Sequence, residues 1–220
     1  MSDPVMIMEG RVGPQYIPDG MVSGFRMGRT GEQLASEVHG KYVEQVSRGN
    51  VYFGTTLTAG IALIVAATTG NHPSLWNPAG SGFVASLVKL TMSYISGANA
   101  PTALYWHLTQ NAGSAIGTAA PVVTWTNVAP VNCRLGSSNA SAMKWAPAVN
   151  TYTAAPPYLC GVGVSLDTMA STSTNAPFVI SIDYDGVMQL PPGNVLSLCT
   201  QASTTTALFN VTLYWEELPV

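Results

Sequence analysis

Three histidines are the side chains of this sequence best suited to acid–base or metal chemistry near neutral pH. His39, His72 and His107 lie far apart, and none has a second histidine or a cysteine at the spacing of a metal-binding motif. His39 falls in a predicted helix, His72 in a Gly-Asn-His-Pro turn, and His107 on the polar side of a predicted strand. We therefore expect each histidine to be solvated or hydrogen-bonded, and we predict no metal site.

The acidic residues offer one weak candidate for cation binding. Asp183 and Asp185 share one face of a predicted strand beside Gly186, but they lack the number of oxygen ligands that a calcium loop supplies. Glu216 and Glu217 close the last predicted strand, where charge improves solubility and protects a sheet edge.

Motifs for nucleophilic catalysis and phosphate binding are missing from the sequence. It contains neither a G-x-S-x-G nucleophile turn nor a G-x-x-x-x-G-K-[ST] phosphate loop. General acid–base catalysis needs poised carboxylates or histidines in a cleft, and this chain has few to place. We predict that it is not an enzyme and has no catalytic residue and no cofactor.

Aromatic and cysteine residues have two interpretations each. The tryptophans could line a carbohydrate groove, but in a β-sandwich they more often anchor a core or an interface. They are Trp76, Trp106, Trp125, Trp145 and Trp215. Cys133, Cys160 and Cys199 are odd in number and lack a C-x-x-C motif, which favours reduced, small apolar side chains over disulfides or a zinc site.

Charge is scarce and unevenly distributed. The chain has 220 residues, 8 Lys+Arg and 11 Asp+Glu, so 9% is charged, against about 25% in an ordinary domain. Residues 49–220 hold only 8 of these charges. An acidic chain with a pI of about 5.5 lacks the positive field that nucleic-acid binding needs. A body this poor in charge is either covered by other subunits or hydrated by Ser, Thr, Asn and Gln, and both can hold in part.

The first 29 residues predict an extended apolar arm, which we call the N-terminal arm. Glycine and proline interrupt every possible element there, while 47% of the whole chain is hydrophobic, which argues against disorder. An apolar arm has to bury itself on its own body or on a neighbour. The residues predicted to make such subunit or capsid contacts are Met6, Ile7, Met8, Tyr16, Ile17, Met21, Val22, Phe25 and Met27.

A short helix is predicted after the arm, over about residues 30–48. Thr30 is a suitable N-cap with Gln33 at the capping-box position, and Gly49 supplies the stop. The predicted organisation is therefore residues 1–49 for the arm and helix, followed by a body of residues 50–220. We expect no signal peptide, because the first residues lack a basic start followed by a long apolar stretch, and no membrane helix, because the most apolar run, residues 57–67, is too short.

The body predicts an all-β fold. Candidate strands are residues 51–57, 61–68, 84–95, 102–110, 131–135, 158–166, 178–184, 187–190, 195–200 and 207–215. Phe209, Val211, Leu213 and Trp215 share a face, which is the alternation of a half-buried strand. Prolines fall between the runs, as a sheet requires. About eight strands without intervening helices predict an antiparallel, jelly-roll-like β-sandwich.

Five short passages resemble structural proteins of tailed bacteriophages. They are Glu-Val-His-Gly-Lys-Tyr-Val-Glu-Gln at 37–45, Arg-Gly-Asn-Val-Tyr-Phe-Gly at 48–54, Trp-Asn-Pro-Ala-Gly-Ser-Gly at 76–82, Leu-Pro-Pro-Gly-Asn-Val-Leu-Ser-Leu at 190–198, and Leu-Tyr-Trp-Glu-Glu-Leu-Pro-Val at 213–220. Proteins of this group are poor in charge and end in an aromatic strand. The Leu-Pro-Pro-Gly turn also resembles viral and tumour-necrosis-factor-like jelly rolls, which usually assemble as trimers.

The resemblance implies a capsid cement (decoration) protein, made in the host cytoplasm and placed on the capsid surface of the virion. Its implied partners are two further copies of itself and the major capsid protein, with no nucleic acid and no membrane. The alternative is a head-fibre, collar or tail module that binds a host glycan. In that case the Ser-, Thr-, Ala- and Asn-rich residues 111–131 and 136–157 would form the recognition loops.

Overall fold

The computed structural model describes residues 10–11, 25–26, 40–65, 69–98, 100–109, 122–125, 127–152, 158–168, 179–202, 204 and 206–220. One helix, α1, spans Val43–Arg48. The strands are β1 Gly10–Arg11, β2 Phe25–Arg26, β3 Val51–Thr55, β4 Thr69–Asn71, β5 Ser74–Trp76, β6 Phe83–Ser96, β7 Thr102–Thr109, β8 Val122–Trp125, β9 Val131–Asn132, β10 Lys144–Ala146, β11 Val149–Tyr152, β12 Tyr158–Leu166, β13 Val179–Asp183, β14 Gln189–Leu190, β15 Val195–Thr200 and β16 Leu208–Pro219.

The chain divides into two compact units, Met1–Val43 and Glu44–Val220. In the first unit, the two-residue strands β1 and β2 pair in parallel. The second unit contains strands β3 to β16 and all of α1 except Val43.

Within its described part, residues 40–48, the predicted helix is helical only from Val43 onward. The pattern predicted residues 30–48, but Gly40 is irregular, a turn follows it, and α1 begins only at Val43. Glycine loses more backbone entropy than other residues on entering a helix, which accounts for the break. Residues 30–39 lie outside the described residues. The predicted stop is confirmed, because Gly49 has a left-handed φ of 78°.

The body is an antiparallel β-sandwich with jelly-roll topology, as predicted. Sheet I has the strand order β10-β5-β15-β7-β12, and sheet II has the order β13-β6-β16-β3-β9, with β14 also paired to β6. The eight main strands in chain order are β3, β5, β6, β7, β12, β13, β15 and β16. The first pairs with the eighth, the second with the seventh, the third with the sixth and the fourth with the fifth. This nested pairing is that of a rolled-up double ribbon, the two-Greek-key arrangement of a jelly roll.

The core lies between sheets I and II and confirms the predicted alternation. In β16, Phe209, Val211, Leu213 and Trp215 are fully buried, and Trp215 stacks against Trp145 with ring centroids 6.5 Å apart. Sheet I adds further fully buried apolar side chains, among them Leu104, Trp106, Leu196 and Leu198. Two facing apolar sheet surfaces supply the hydrophobic burial that drives this fold.

Two of the quoted motifs meet at one end of the sandwich. The turn after β5 and the Pro-Pro-Gly turn before β15 exchange backbone hydrogen bonds, Asn77 N to Asn194 O at 2.9 Å and Gly193 N to Asn77 O at 2.8 Å. The buried Asn77 amide also donates to the carbonyls of Phe83 and Leu190, each at 2.8 Å. These motifs therefore hold the strands in register at this end.

A third, three-stranded antiparallel sheet, β4-β11-β8, was not predicted. It occupies part of the segments 111–131 and 136–157, which were predicted as loops; the second segment also holds β10 of sheet I. The predicted strand at residues 61–68 is wrong over its described part, because Ile61 and Val65 make only isolated bridges. The next strand along the chain, β4, starts at residue 69, just after the segment 61–68.

Candidate functional site

The predicted contact residues of the N-terminal arm lie almost entirely outside the described residues. Those outside are Met6, Ile7, Met8, Tyr16, Ile17, Met21, Val22 and Met27. Phe25 is placed as backbone in β2. Their role in capsid or subunit contact stays a prediction, and the described surface of the body has to be considered by itself.

One broad surface of the body is the side of sheet II that points away from the core. Because Phe209, Val211, Leu213 and Trp215 point inward, the intervening residues of β16 point outward, and strand register identifies their neighbours. These residues form three rows across the strands. The first row contains Val131, Phe53, Tyr214, Lys89 and Asp183, and the second contains Thr55, Thr212, Thr91 and Ser181. The third row contains Asn210, Ser93 and Val179. We call these twelve residues the sheet II outer face. Each is half-buried or exposed.

The chemistry of this face is aromatic, aliphatic and hydroxylic. The rings of Phe53 and Tyr214 lie 5.6 Å apart between centroids. Its two charged residues, Lys89 and Asp183, form an ion pair with an N–O distance of 3.3 Å. The face therefore combines a row that contains Val131, Phe53 and Tyr214 with two rows of mainly hydroxyl side chains, and its two charges pair with each other.

Hydrogen bonds within the face satisfy part of its polar groups. Thr212 Oγ1 donates to Thr55 Oγ1 at 3.0 Å, and Thr55 Oγ1 lies 3.4 Å from Asn210 Oδ1. Hydroxyls that already have partners lose less when water is removed from them. The next row, beyond Tyr214, contains Glu216, whose pKa is raised by partial burial. Internal hydrogen bonding therefore lowers the desolvation cost at Thr55 and Thr212.

Of the two environments expected for the histidines, solvated or hydrogen-bonded, the structure excludes solvation for His72 and His107. His72 and His107 are fully buried, and their ring centroids lie 4.8 Å apart. His107 sits in β7 on the outer side of sheet I, in register with Ser197 of β15, which in turn aligns with Ser74 of β5. The two histidines are shielded from water because the third sheet covers this side, with Asn150 of β11 buried over it.

Hydrogen bonds tie the third sheet to the buried histidine pair. The Asn150 amide donates to the His72 carbonyl at 2.8 Å and to Ser74 Oγ at 3.1 Å. Ser74 Oγ also lies 2.6 Å from the His72 carbonyl and 2.7 Å from Ser197 Oγ. We call His72, Ser74, His107, Asn150 and Ser197 the polar cluster. Its side chains are all fully buried, so no substrate reaches them in this conformation.

Burial keeps His107 neutral. Burial, and secondly the proximity of His72, lower the pKa of His107 from 6.5 to about 3. A neutral His107 imidazole fits an interior from which charge is excluded. Sequence reasoning missed the cluster because its members are separated by up to 125 residues and meet only when the third sheet folds over sheet I.

One acidic residue, Glu217, is buried and not at a protected sheet edge as predicted. Glu217 does not protect a sheet edge, because it is only 5% exposed. Its carboxylate accepts hydrogen bonds from the Ser141 hydroxyl, from Ala142 N at 3.0 Å and from Trp215 Nε1 at 3.2 Å. Asp185 lies in a turn with φ of 51°. Among the described residues, no three His, Cys, Asp or Glu side chains gather as metal ligands would.

The aromatic and cysteine side chains mainly serve the interior. Trp106, Trp145 and Trp215 belong to the core, so these three do not line a glycan groove, and Trp76 lies beneath Lys144 at 5.0 Å from Nζ to ring centroid. The thiols are free: Cys160 is exposed, Cys133 is half-buried, and Cys199 is buried with its pKa raised to about 12 by desolvation. The side chain of Trp125 lies outside the described residues.

Comparison with known proteins gives no match: no family model, no curated protein and no solved structure matches this chain. The described helix is too short and polar to cross a membrane.

Proposed function

We propose that this chain is a structural protein of a tailed-bacteriophage particle, a capsid cement or decoration protein. In this proposal three copies assemble through the sheet II outer face, and the N-terminal arm contacts the major capsid protein. The observation that carries the proposal is the composition of that face. Ten of its twelve residues are uncharged, and the two charged residues pair with each other.

Assembly accounts for the shortage of charge better than hydration does. A sheet face in permanent contact with water gains solubility from scattered charges, whereas Val131, Phe53 and Tyr214 form a continuous apolar row across three strands. The threonine rows beside it suit either environment. In an interface they would lie at the apolar centre with few unsatisfied hydrogen-bonding groups, because Thr212 and Thr55 already bond to each other.

The trimer is tested by placing a charge at the centre of the face. Thr212→Lys introduces an ammonium group next to Thr55 and Thr91, and we expect sedimentation equilibrium to show monomers where the unaltered chain shows trimers. Val187→Lys adds the same charge at a side chain that is 87% exposed in a turn, so it should leave the trimer intact. A Thr212→Lys protein that is still trimeric would contradict this interface.

Attachment to the capsid is tested by deleting residues 2–29. The arm is long enough to span about 95 Å when fully extended, which is enough to cross a neighbouring subunit. We expect the truncated chain to form the same oligomer and to be missing from purified particles. Unchanged occupancy of the particles, measured by gel densitometry, would show that the arm does not mediate attachment.

The glycan-binding alternative predicts a different copy number. A fibre or receptor-binding module is present in few copies per particle, whereas a cement protein covers the shell. Densitometry of purified particles separates the two, and a glycan array reports binding directly. The described structure does not favour the alternative, since three tryptophans are in the core and the proposed recognition loops contain β8, β10 and β11.

A further inference from the structure

An apolar cavity of about 140 Å³ opens between the two sheets. Its inner walls include Trp106 and Leu108 of β7 and Leu196 of β15, all from sheet I. Met188 lies against it from the other side, in the segment that leads into β14. The exposed residues Cys160 and Gln189 also line the cavity, so its mouth lies on their side.

We propose that this cavity is a binding site for a small uncharged molecule built around one aromatic ring or a fused ring pair. An apolar protein cavity of about 150 Å³ stays dry and accepts benzene, which sets the size of the ligand. The described residues that line the cavity include no charged side chain. A ligand with a formal charge would lose its hydration there without compensation.

The lining chemistry also favours an aromatic ligand over an aliphatic one. The ring of Trp106 forms part of the wall, and aromatic rings attract one another in offset or edge-to-face arrangements. The sulfur atoms of Met188 and Cys160 are polarisable and make favourable contacts with ring edges. Trp106 Nε1 already donates to Tyr184 Oη at 2.6 Å, so this N–H is used within the protein.

One polar group on the ligand can be accommodated at the mouth. Gln189 is the amide side chain among the lining residues and is exposed to solvent, so it can exchange hydrogen bonds with a hydroxyl or a ring N–H there. Phenol and indole have this shape, an apolar ring with a single donor. A fragment of this size binds with a Kd of roughly 0.1–1 mM.

The site is independent of the proposed virion function, because it lies within a single copy of the body. Its ligand contacts residues of both layers of the sandwich, Leu87 of β6 and Leu196 of β15. A molecule that binds only the folded state raises the melting temperature. At ten times its Kd, we expect a rise of about 3–6 °C for a chain of this length.

Indole is the probe for the first experiment, with thermal unfolding as the readout. Leu108→Trp fills the cavity, and we expect it to remove the rise in melting temperature that indole causes in the unaltered chain. Leu159→Trp is the matched control, because this residue is on the adjacent strand, is 57% exposed and aligns with His107 on the opposite side of sheet I. It should respond to indole like the unaltered chain.

The cysteine at the mouth gives a second route that needs no substitution in the core. The Cys160 thiolate attacks benzyl methanethiosulfonate, forms a mixed disulfide and releases methanesulfinate. Cys160 is the exposed cysteine, so mild labelling reaches it first. The attached benzyl ring should occupy the cavity and abolish the indole response, whereas a methyl label from methyl methanethiosulfonate should preserve it.

Two results would overturn this inference. One is an unaltered chain whose melting temperature does not change with indole at concentrations well above the expected Kd. The other is an indole response that persists in the benzyl-labelled protein, or in Leu108→Trp as strongly as in Leu159→Trp.

Discussion

Acidification from about pH 7.5 to about pH 5 is expected to destabilise the folded body through His107. This side chain is fully buried on the outer side of sheet I, with the ring of His72 at 4.8 Å between centroids. Burial and this neighbour lower its pKa from 6.5 to about 3. The folded chain therefore holds His107 neutral at pH values at which the unfolded chain has already bound a proton.

The magnitude follows from the two pKa values. Because the folded pKa is lower than the unfolded one, the full stability is present above pH 6.5 and is lost as the pH falls towards about 3. At about pH 5 the unfolded histidine is almost fully protonated and the folded one is not. The difference in proton binding lowers the free energy of unfolding by about 2 kcal/mol at that pH.

The assay is urea unfolding at both pH values for the unaltered chain and for His107→Gln, at one fixed protein concentration. The change between the two pH values is compared within each protein, so the intrinsic cost of the substitution cancels. His39 and His72 remain in both. We expect the unaltered chain to lose about 2 kcal/mol more than the variant does. An equal loss in both proteins would refute the inference that His107 stays neutral in the fold.

Two further predictions concern packing and thiol reactivity. A methyl group at Gly54 would overlap the ring of Trp145, so Gly54→Ala should lower the free energy of unfolding by about 1–3 kcal/mol in a urea titration. Gly161→Ala is the control, because a methyl group there meets nothing within 4 Å. It should change the free energy of unfolding by less than about 0.5 kcal/mol. Similar stability of the two variants would contradict the placement of Trp145. Burial raises the pKa of Cys199 to about 12, whereas Cys160 is exposed. Ellman's reagent should therefore modify Cys160 in the folded protein and Cys199 only after unfolding, which peptide mapping would show. Equal labelling rates of the two thiols in the folded protein would contradict this.

The parts of the fold predicted from sequence are those with long, regular alternation. Strand β16 has four inward apolar residues at a period of two, from Phe209 to Trp215, and the structure buries all four. Strands β12 and β15 have the predicted bounds, because turn residues or prolines flank them. The strand count and the lack of long helices were then enough to predict a jelly-roll-like sandwich.

Short strands were missed because three or four residues carry too little periodicity. Ser74–Trp76 and Lys144–Ala146 each lie beside a proline, and the sequence favoured turns there. They are strands because sheet I supplies their hydrogen-bonding partners. Strand β5, for example, pairs with β15, which is more than a hundred residues away in the chain. Tertiary pairing of this kind overrides local propensity.

The sheet II outer face was only partly visible in the sequence. Alternation placed Asn210, Thr212 and Tyr214 opposite the core-facing residues of β16. It could not show that Phe53 and Lys89 flank Tyr214, since these residues come from strands far apart in the chain. The same limit explains the polar cluster and the cavity, which both depend on contacts between distant segments.

Cryo-electron microscopy of purified particles can test the proposal that this chain forms trimers on a phage shell through sheet II. We expect three-fold clusters of jelly rolls at regular positions on the capsid, with the Phe53 and Tyr214 side of each copy facing its neighbours. Density for this chain only at the tail, or clusters that contact through sheet I, would contradict it.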